Sequence, residues 1–430
     1  MRKNDVDIIT LGCSKNLVDS EKLMYQLQQA GYSPIHDPKK VNSEIVVINT
    51  CGFIGDAKEE SIEIILEAAE RKKAGKVKKL YVMGCLSQRY FDELNIEIPE
   101  VDKFYGKFDW HNLLSELGKT YNANASAERM LTTPSHYAYL KIAEGCNRTC
   151  SYCAIPIITG KYHSYSIEDI LKETTALVLK GVKEIQLIAQ DLTFYGWDRY
   201  KSFKLPELVE RVADIHGVEW LRLHYAYPAL FPFDLLRVMR ERENVCNYLD
   251  IALQHISDPM LQLMRRNIDK KGTYKLLERV RNEAPGIHLR TTLMVGHPGE
   301  TDEEFGELLQ FMRDIRFERL GAFAYSEEEG TYSAIHYEDA IPNEVKQERL
   351  SQVMALQEEI SLQHQQKKTG KIIKVIIDRE EPDFYVGRSE FDSPEVDTEI
   401  LVSKEKMLTP GTFYPVTITE STTFELFGKV

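Results

Sequence analysis

Three cysteines stand close together at Cys146, Cys150 and Cys153, within the run "EGCNRTCSYCAIP" (residues 144–156). Soft thiolates select zinc or iron–sulfur clusters. A structural zinc needs four protein ligands, and this run stops at three. His163, ten residues beyond Cys153, lies outside the usual finger spacing. The other possibility is a metal group whose fourth position is left open. Three more cysteines, Cys13, Cys51 and Cys85, each follow a short apolar run, over 6–12, 43–50 and 78–84. Such runs, alternating with helical stretches over 19–31 and 56–75, predict a parallel, doubly wound sheet. In that sheet the strand ends share one edge, where ligands bind. Gly12, Gly52 and Gly84 stand beside these cysteines and let backbone approach a bulky group. A second three-thiolate metal site with an open position is therefore expected. Cys246 reads as a packing residue.

The elements that must hold these thiols divide the chain in three. Residues 1–115 carry the doubly wound pattern, with Asp56 and Glu59 spaced as a capping box at a helix start. Residues 116–134 are polar and weakly patterned, a linker. From 135 to 365, strands are expected over 136–143, 183–190, 218–228, 248–254, 287–296 and 319–326, with helices between. That is six β/α units, enough for a partial barrel. A long helix over 342–368 follows. Residues 371–430 hold short alternating strands and no helix, as in a small antiparallel β-barrel, with the domain limits set at 366–430. The fold class is α/β with a terminal β-barrel.

The chain has 430 residues, long for one domain, with 43% hydrophobic and 28% charged residues. Its net charge of −13 repels polyanions, so nucleic acid is not the default partner. Seven cysteines, an odd number, argue against a disulfide framework. The N-terminal "MRKNDVDIITLG" meets an acid before any apolar run, unlike a signal peptide. No stretch approaches the roughly 18 apolar residues of a membrane span. A cytoplasmic protein is expected.

The Cys146-x3-Cys150-x2-Cys153 spacing at the end of a first barrel strand resembles the radical S-adenosylmethionine (SAM) enzymes. The resemblance implies a 4Fe-4S cluster on these three thiols, with SAM chelating the open iron. Reductive cleavage of SAM then yields a radical that abstracts hydrogen from an unactivated carbon. It also implies that Gln190 and Asp191 hold the methionine amine, that Tyr152 lies near adenine, and that the turn "VGHPGET" (295–301), with Gly296 and Gly299, lines adenine. No catalytic residue is assigned beyond the cluster ligands.

With its N-terminal three-cysteine domain and C-terminal barrel, the chain resembles the radical SAM methylthiotransferases over nearly its whole length. This implies a second 4Fe-4S cluster on Cys13, Cys51 and Cys85, carrying the sulfur to be delivered. One SAM methylates that sulfur and another generates the radical. The family has a branch that modifies tRNA adenosine and a branch that modifies the β-carbon of an aspartate in ribosomal protein S-twelve. "LGCSKNLVDSEKLM" (11–24), "NTCGFIGDAKEESI" (49–62), "IAQDLTFYG" (188–196) and "FAYSEEEGTYSA" (323–334) resemble the second branch. The C-terminal barrel resembles TRAM domains, often RNA-binding modules. Over 371–430, however, seven basic residues meet twelve acidic ones, a net charge of −5. An acidic barrel suits a basic ribosomal protein better than phosphates. Where the family is often basic, Thr159, His163 and Tyr165 stand. The expected partners are ribosomal protein S-twelve, free or on the small subunit, and an electron donor such as flavodoxin. No membrane is expected, and nucleic acid is not expected as the main substrate. The rival readings are a tRNA adenosine methylthiotransferase and a non-catalytic iron–sulfur or RNA-binding protein.

Overall fold

The apolar runs that end in the first three cysteines form neighbouring strands of one sheet. A computed structural model describes residues 4–109 and 111–430; residues 1–3 of the N-terminal run examined for a signal peptide lie outside the described residues. The strands are β1 (Asp5–Thr10), β2 (Ser33–His36), β3 (Ile45–Thr50), β4 (Lys79–Gly84) and β5 (Lys103–Phe104). They run parallel in the order β2-β1-β3-β4-β5. All six residues of β3 are buried, as a central parallel strand covered on both faces requires. The edge strands β2 and β5 were not among the expected ones. One is half-exposed and the other two residues long, so neither has a continuous apolar run.

Two helix starts differ from expectation. The first helix spans Ser14–Gln29, with Cys13 at its N-cap. Its Leu23, Met24 and Leu27 pack on Val6, Ile8 and Val47 of the sheet. Asp19, expected near its start, is instead a buried interior residue. The second spans Gly55–Lys73 behind Ile54, which has no side chain to cap with. Asp56 sits in its first turn, where a negative charge suits the helix dipole, and no capping box forms.

The central strands are β6 (Tyr137–Lys141), the short hairpin β7 (Ala143–Glu144) and β8 (His163–Ser164), then β9 (Glu184–Ile188), β10 (Trp220–Ala226), β11 (Val245–Ile251), β12 (His288–Val295) and β13 (Arg319–Ala324). Six of them pair in parallel in the order β13-β12-β11-β10-β9-β6, and β6 and β13 remain unpaired to each other. This is the expected partial (β/α)6 barrel. The helix Asn343–Gln366 packs on β13.

Strands β14 (Ile372–Glu380), β15 (Phe384–Ser389), β16 (Glu399–Ser403), β17 (Phe413–Ser421) and β18 (Glu425–Lys429) close into a five-stranded barrel. Four pairings are antiparallel, but β16 and β18 run parallel. A closed ring with an odd number of strands cannot alternate throughout, so one like-directed pair is unavoidable. The loop after β15 enters the floor of the central barrel. Arg222 donates to the carbonyls of Glu390 and Ser389, Arg290 pairs with Asp397 at 2.7 Å, and Tyr248 donates to Asp397 at 2.8 Å.

Candidate active site

The ends of β1, β3 and β4 bring Cys13, Cys51 and Cys85 to one edge of the first sheet. Gly12 has φ +91°, and a Cβ there would lie 2.7 Å from Cys51 Cβ and 2.9 Å from its Sγ. At Gly52 a Cβ would lie 2.6 Å from the Leu86 nitrogen, just past Cys85. Only glycine lets these strand ends approach so closely. Asn16 ties the three together. Its Nδ2 donates to the carbonyls of Leu11 and Thr50, each at 3.0 Å, and its Oδ1 accepts from Lys107 Nζ at 3.2 Å. The Cys85 thiol is 3.7 Å from the same oxygen. Asn16 therefore braces the residue before Gly12, the residue before Cys51, and Cys85 itself.

The three thiols differ in environment. Burial raises Cys51, and it pushes Cys85 up to about 11 against the opposing charge of Lys107. Cys13 opens to solvent within crowded surroundings; desolvation opposes its ionisation, but Lys15, Lys107 and backbone N–H groups hold it below the usual thiol value. Replacing Asn16 by alanine removes both backbone bonds and one of the two acceptors of Lys107, which keeps Asp19. The expected outcome is about 2 kcal/mol lost stability and iron content falling from about eight toward about four per chain. Iron and sulfide assay after anaerobic reconstitution checks it.

The second triple lies in the loop from β7 to the short helix Ile155–Thr159. The Cys146 N–H donates to Gly160 O at 3.1 Å, and Cys146 Sγ accepts the Arg148 N–H at 3.4 Å. Arg266 Nη1 donates to Cys150 Sγ and to Tyr152 Oη, both at 3.2 Å. The Tyr227 ring is flanked by the guanidinium groups of Arg148, 4.1 Å from its centroid, and Arg266, at 4.3 Å. Its hydroxyl donates to Arg266 O at 2.7 Å and sits 3.9 Å from Cys150 Sγ. Burial pushes Cys146 up to about 12 and Cys153 higher still, so a bound cation is what would hold these sulfurs as thiolates. Among the described residues no three His, Cys, Asp or Glu converge on a single ion. Thiols that grip separate irons of a cube stand around a larger body.

The surroundings of the two triples pack together. Cys85 packs with Ala154, which directly follows Cys153, and with Ile158 of the short helix after it. Lys15, two residues after Cys13, lies over the Tyr225 ring at the end of β10, 3.7 Å from its centroid. Arg89 and Lys58 of the first domain both reach Glu328, at 2.8 Å each.

The other expected residues are placed as follows. Tyr152 packs against Met260, Met264, Met294 and Tyr325, an apolar wall at the barrel mouth. Gln190 is half-buried at the end of β9. Asp191 is buried, and both carboxylate oxygens are committed, to Arg148 Nε at 2.7 Å and to Thr193 at 2.6 and 2.9 Å. It fastens the cluster loop through Arg148. Gly296 has φ +71°, and a Cβ there would strike Lys346 Cγ at 2.4 Å; its N–H donates to Glu300 at 2.8 Å. Gly299 has φ +90° and faces Leu263. Between them His297 donates from Nδ1 to Pro298 O and accepts at Nε2 from Ser151 and Ser333, binding the turn to the loop of the second triple. Burial lowers this histidine to about 4, which keeps Nε2 free to accept. Nearby, Gln254 Oε1, Ser257 Oγ, Tyr325 Oη and Arg266 Nε are buried and have no hydrogen-bond partner. Orphaned polar atoms beside an apolar wall fit an amphipathic ligand such as SAM.

Asn16, Lys107, Arg148, Tyr227 and Arg266 were not expected from the sequence. Asn16, Lys107, Tyr227 and Arg266 each act on a cysteine far from them in sequence, and no spacing signals that; Arg148 lies within the second triple's own loop, but its partner Asp191 does not. Thr159, His163 and Tyr165 serve the fold or the surface: Thr159 donates to Ile155 O, Tyr165 to Glu144, and His163 is exposed on β8.

Family models match over residues 5–106 (uncharacterized protein family UPF0004), 140–312 (radical SAM superfamily) and 369–430 (TRAM domain). The sequence is 65% identical to ribosomal protein uS12 methylthiotransferase RimO of Parabacteroides distasonis, over 100% of both chains. It is 65% identical to the RimO of Bacteroides thetaiotaomicron, over 100% of this chain and 99% of that one. For the RimO of Cytophaga hutchinsonii the identity is 50%, over 100% and 98%. In fold the chain is similar to the radical SAM methyltransferase TsrM of Kitasatospora setae, with a TM-score of 0.56 and 13% identity over 78% of this chain and 74% of that one.

Proposed function

Because this chain belongs to the ribosomal protein uS12 methylthiotransferases, a radical SAM family, we propose that it replaces a hydrogen on the β-carbon of a uS12 aspartate by a methylthio group. The cofactors are SAM and two 4Fe-4S clusters. In this reading Cys146, Cys150 and Cys153 hold the SAM-cleaving cluster, and Cys13, Cys51 and Cys85 hold the sulfur-carrying one. Tyr152, Gln190, Gly296 and Gly299 line the SAM site, while Asp191 acts through Arg148. When bound, these groups supply the radical, the methyl group and the sulfur.

The observation that carries the reading is the packing of Cys85 of the first triple against Ala154, the residue after Cys153 of the second. A carbon radical must meet sulfur before it is quenched, so the two sites must face one target. Around the two triples the chain supplies position. Arg266 stabilises the Cys150 sulfur through its N–H bond, as outer hydrogen bonds tune a cluster. Met260, Met264 and Met294 present an apolar wall beside Tyr152.

The C-terminal barrel supports a protein substrate. Of its seven basic residues, Arg388 is buried, and Arg379, Lys404 and Lys374 face acidic partners. Lys371, Lys406 and Lys429 are too few to track phosphates against twelve acids. We place the domain limits at 1–115, 135–365 and 366–430, with 116–134 as linker. A one-electron donor of the flavodoxin kind and a cytoplasmic setting complete the proposal. Among the described residues no helix is long and apolar enough to cross a membrane.

The test is direct. Anaerobically reconstituted protein is incubated with SAM, a reductant and purified uS12, and the intact mass of uS12 is measured. Gain of one methylthio group at an aspartate is expected. Unchanged uS12 together with methylthiolated tRNA adenosine in a parallel reaction would overturn the assignment.

A further inference from the structure

A chain of polar contacts, most of them buried, runs from the first cysteine site to the second. It starts at Cys85, 3.7 Å from Asn16 Oδ1, and passes to Lys107, 3.2 Å from that oxygen. Lys107 pairs with one oxygen of Asp19 at 3.2 Å, and Lys141 of β6 pairs with the other. Lys141 also pairs with Glu144, two residues before Cys146, and Tyr165 donates to the same carboxylate at 3.0 Å. Asp19, Lys107 and Lys141 are all buried. Asp19 and Lys107 come from the first domain, whereas Lys141 and Glu144 come from the barrel.

Burying three charges is costly, and a well-packed apolar contact would stabilise a domain joint at least as well. What ion pairs offer that apolar packing does not is directional registry. The carboxylate of Asp19 has two oxygens and gives one to each domain. Sliding one domain on the other would strand a lysine in a dry interior, so a single relative position is favoured. That position fixes how far Cys85 stands from Cys146.

We propose that Asp19 is a positioning residue that sets the spacing of the two cluster sites through Lys107 and Lys141. The inference rests on the two-cluster reading above. Its consequence is uncoupling: loss of registry leaves each site able to do its own half of the reaction, while the radical and the sulfur no longer meet efficiently.

The experiment uses the full chain with both clusters reconstituted, and the variants Asp19→Asn, Lys141→Met and Asp19→Glu. Three quantities are read: iron content, 5′-deoxyadenosine formed from SAM, and methylthiolated uS12. Magnetic coupling between the two reduced clusters is measured by electron paramagnetic resonance. For Asp19→Asn and Lys141→Met, iron content and deoxyadenosine formation should stay near wild type. Product per deoxyadenosine should fall at least about ten-fold, with altered inter-cluster coupling, and Asp19→Glu should recover part of both. Lys141→Met is informative because that lysine touches neither triple. Unchanged product ratio and coupling in both variants would overturn the inference. So would loss of iron in both, since the network would then serve folding alone. If the wild-type chain itself binds only one cluster, the two-cluster reading fails first, and that result is distinct from either.

Discussion

Cys150→Ala is expected to abolish SAM cleavage, whereas Cys51→Ala should spare cleavage and lose sulfur insertion. The two sites use the same ligand chemistry, so only their positions can separate the effects. Cys150 is the thiol that Arg266 contacts, and Arg266 is itself buried with Tyr152 and Tyr227 around it. Deleting that sulfur would remove one of the three proposed grips on the first cluster and leave Arg266 bonded only to the Tyr152 hydroxyl and the Ala252 carbonyl. Cys51 lies behind Gly12 and beside the backbone of Cys85, in the other domain. Its N–H and C=O are bonded to the Ser61 hydroxyl, which alanine leaves intact, so the fold should survive. Deoxyadenosine by chromatography and uS12 mass together read both half-reactions. Both activities intact in either variant would remove the basis for the assignment.

Both cysteine triples were legible in the sequence, for different reasons. Cys146, Cys150 and Cys153 lie within one loop, so their spacing alone signals a shared ligand. Cys13, Cys51 and Cys85 are far apart in sequence, and only the rule that parallel strand ends share an edge brings them together. Strand type was legible wherever burial on both faces made a continuous apolar run, as in β3 and β4. It failed at β2 and β5, where edge strands are part-exposed or very short. The first helix begins earlier than the stretch expected from Asp19, because Asp19 is buried between two lysines from different elements. The second begins at Gly55, with Asp56 inside its first turn rather than at its cap. Asp191 shows the same limit at the site. Its place after β9 was readable, but its partner Arg148 belongs to another loop, so its full commitment there was not. Side chains that act on a site from a distant element leave no periodic trace.

Replacing Arg388 by methionine is expected to cost about 3–5 kcal/mol, the range for removing one partner from a buried ion pair. Arg388 reaches from the C-terminal barrel into the floor of the central one. It donates to Glu184 at 2.8 and 3.2 Å and to Asp378 at 2.6 and 2.9 Å. Glu184 retains Arg222, at 3.0 and 3.1 Å, and Asp378 retains His136, at 2.7 Å, so neither carboxylate is fully orphaned. The lower end of the range follows. Burial alone would raise both carboxyls, but Arg388, with Arg222 beside Glu184 and His136 beside Asp378, holds them below the usual range. Asp392 is likewise held well down by Arg319 and Lys368. An acid depressed in the folded state contributes stability that is complete above its unfolded value, about 4, and is lost as pH falls through the folded value. Wild type should therefore lose stability steeply below about pH 4. The variant, whose Glu184 and Asp378 titrate closer to their unfolded values, should lose less, so the gap between the two narrows in acid. Urea midpoints near neutrality and near pH 3 measure this. Arg379→Met is the control: its pairs with Glu381 and Glu399 are solvent-exposed, and such pairs are worth about 1 kcal/mol or less. Equal midpoints for Arg388→Met and Arg379→Met at neutral pH would show that the C-terminal barrel is not locked into the barrel floor by charge.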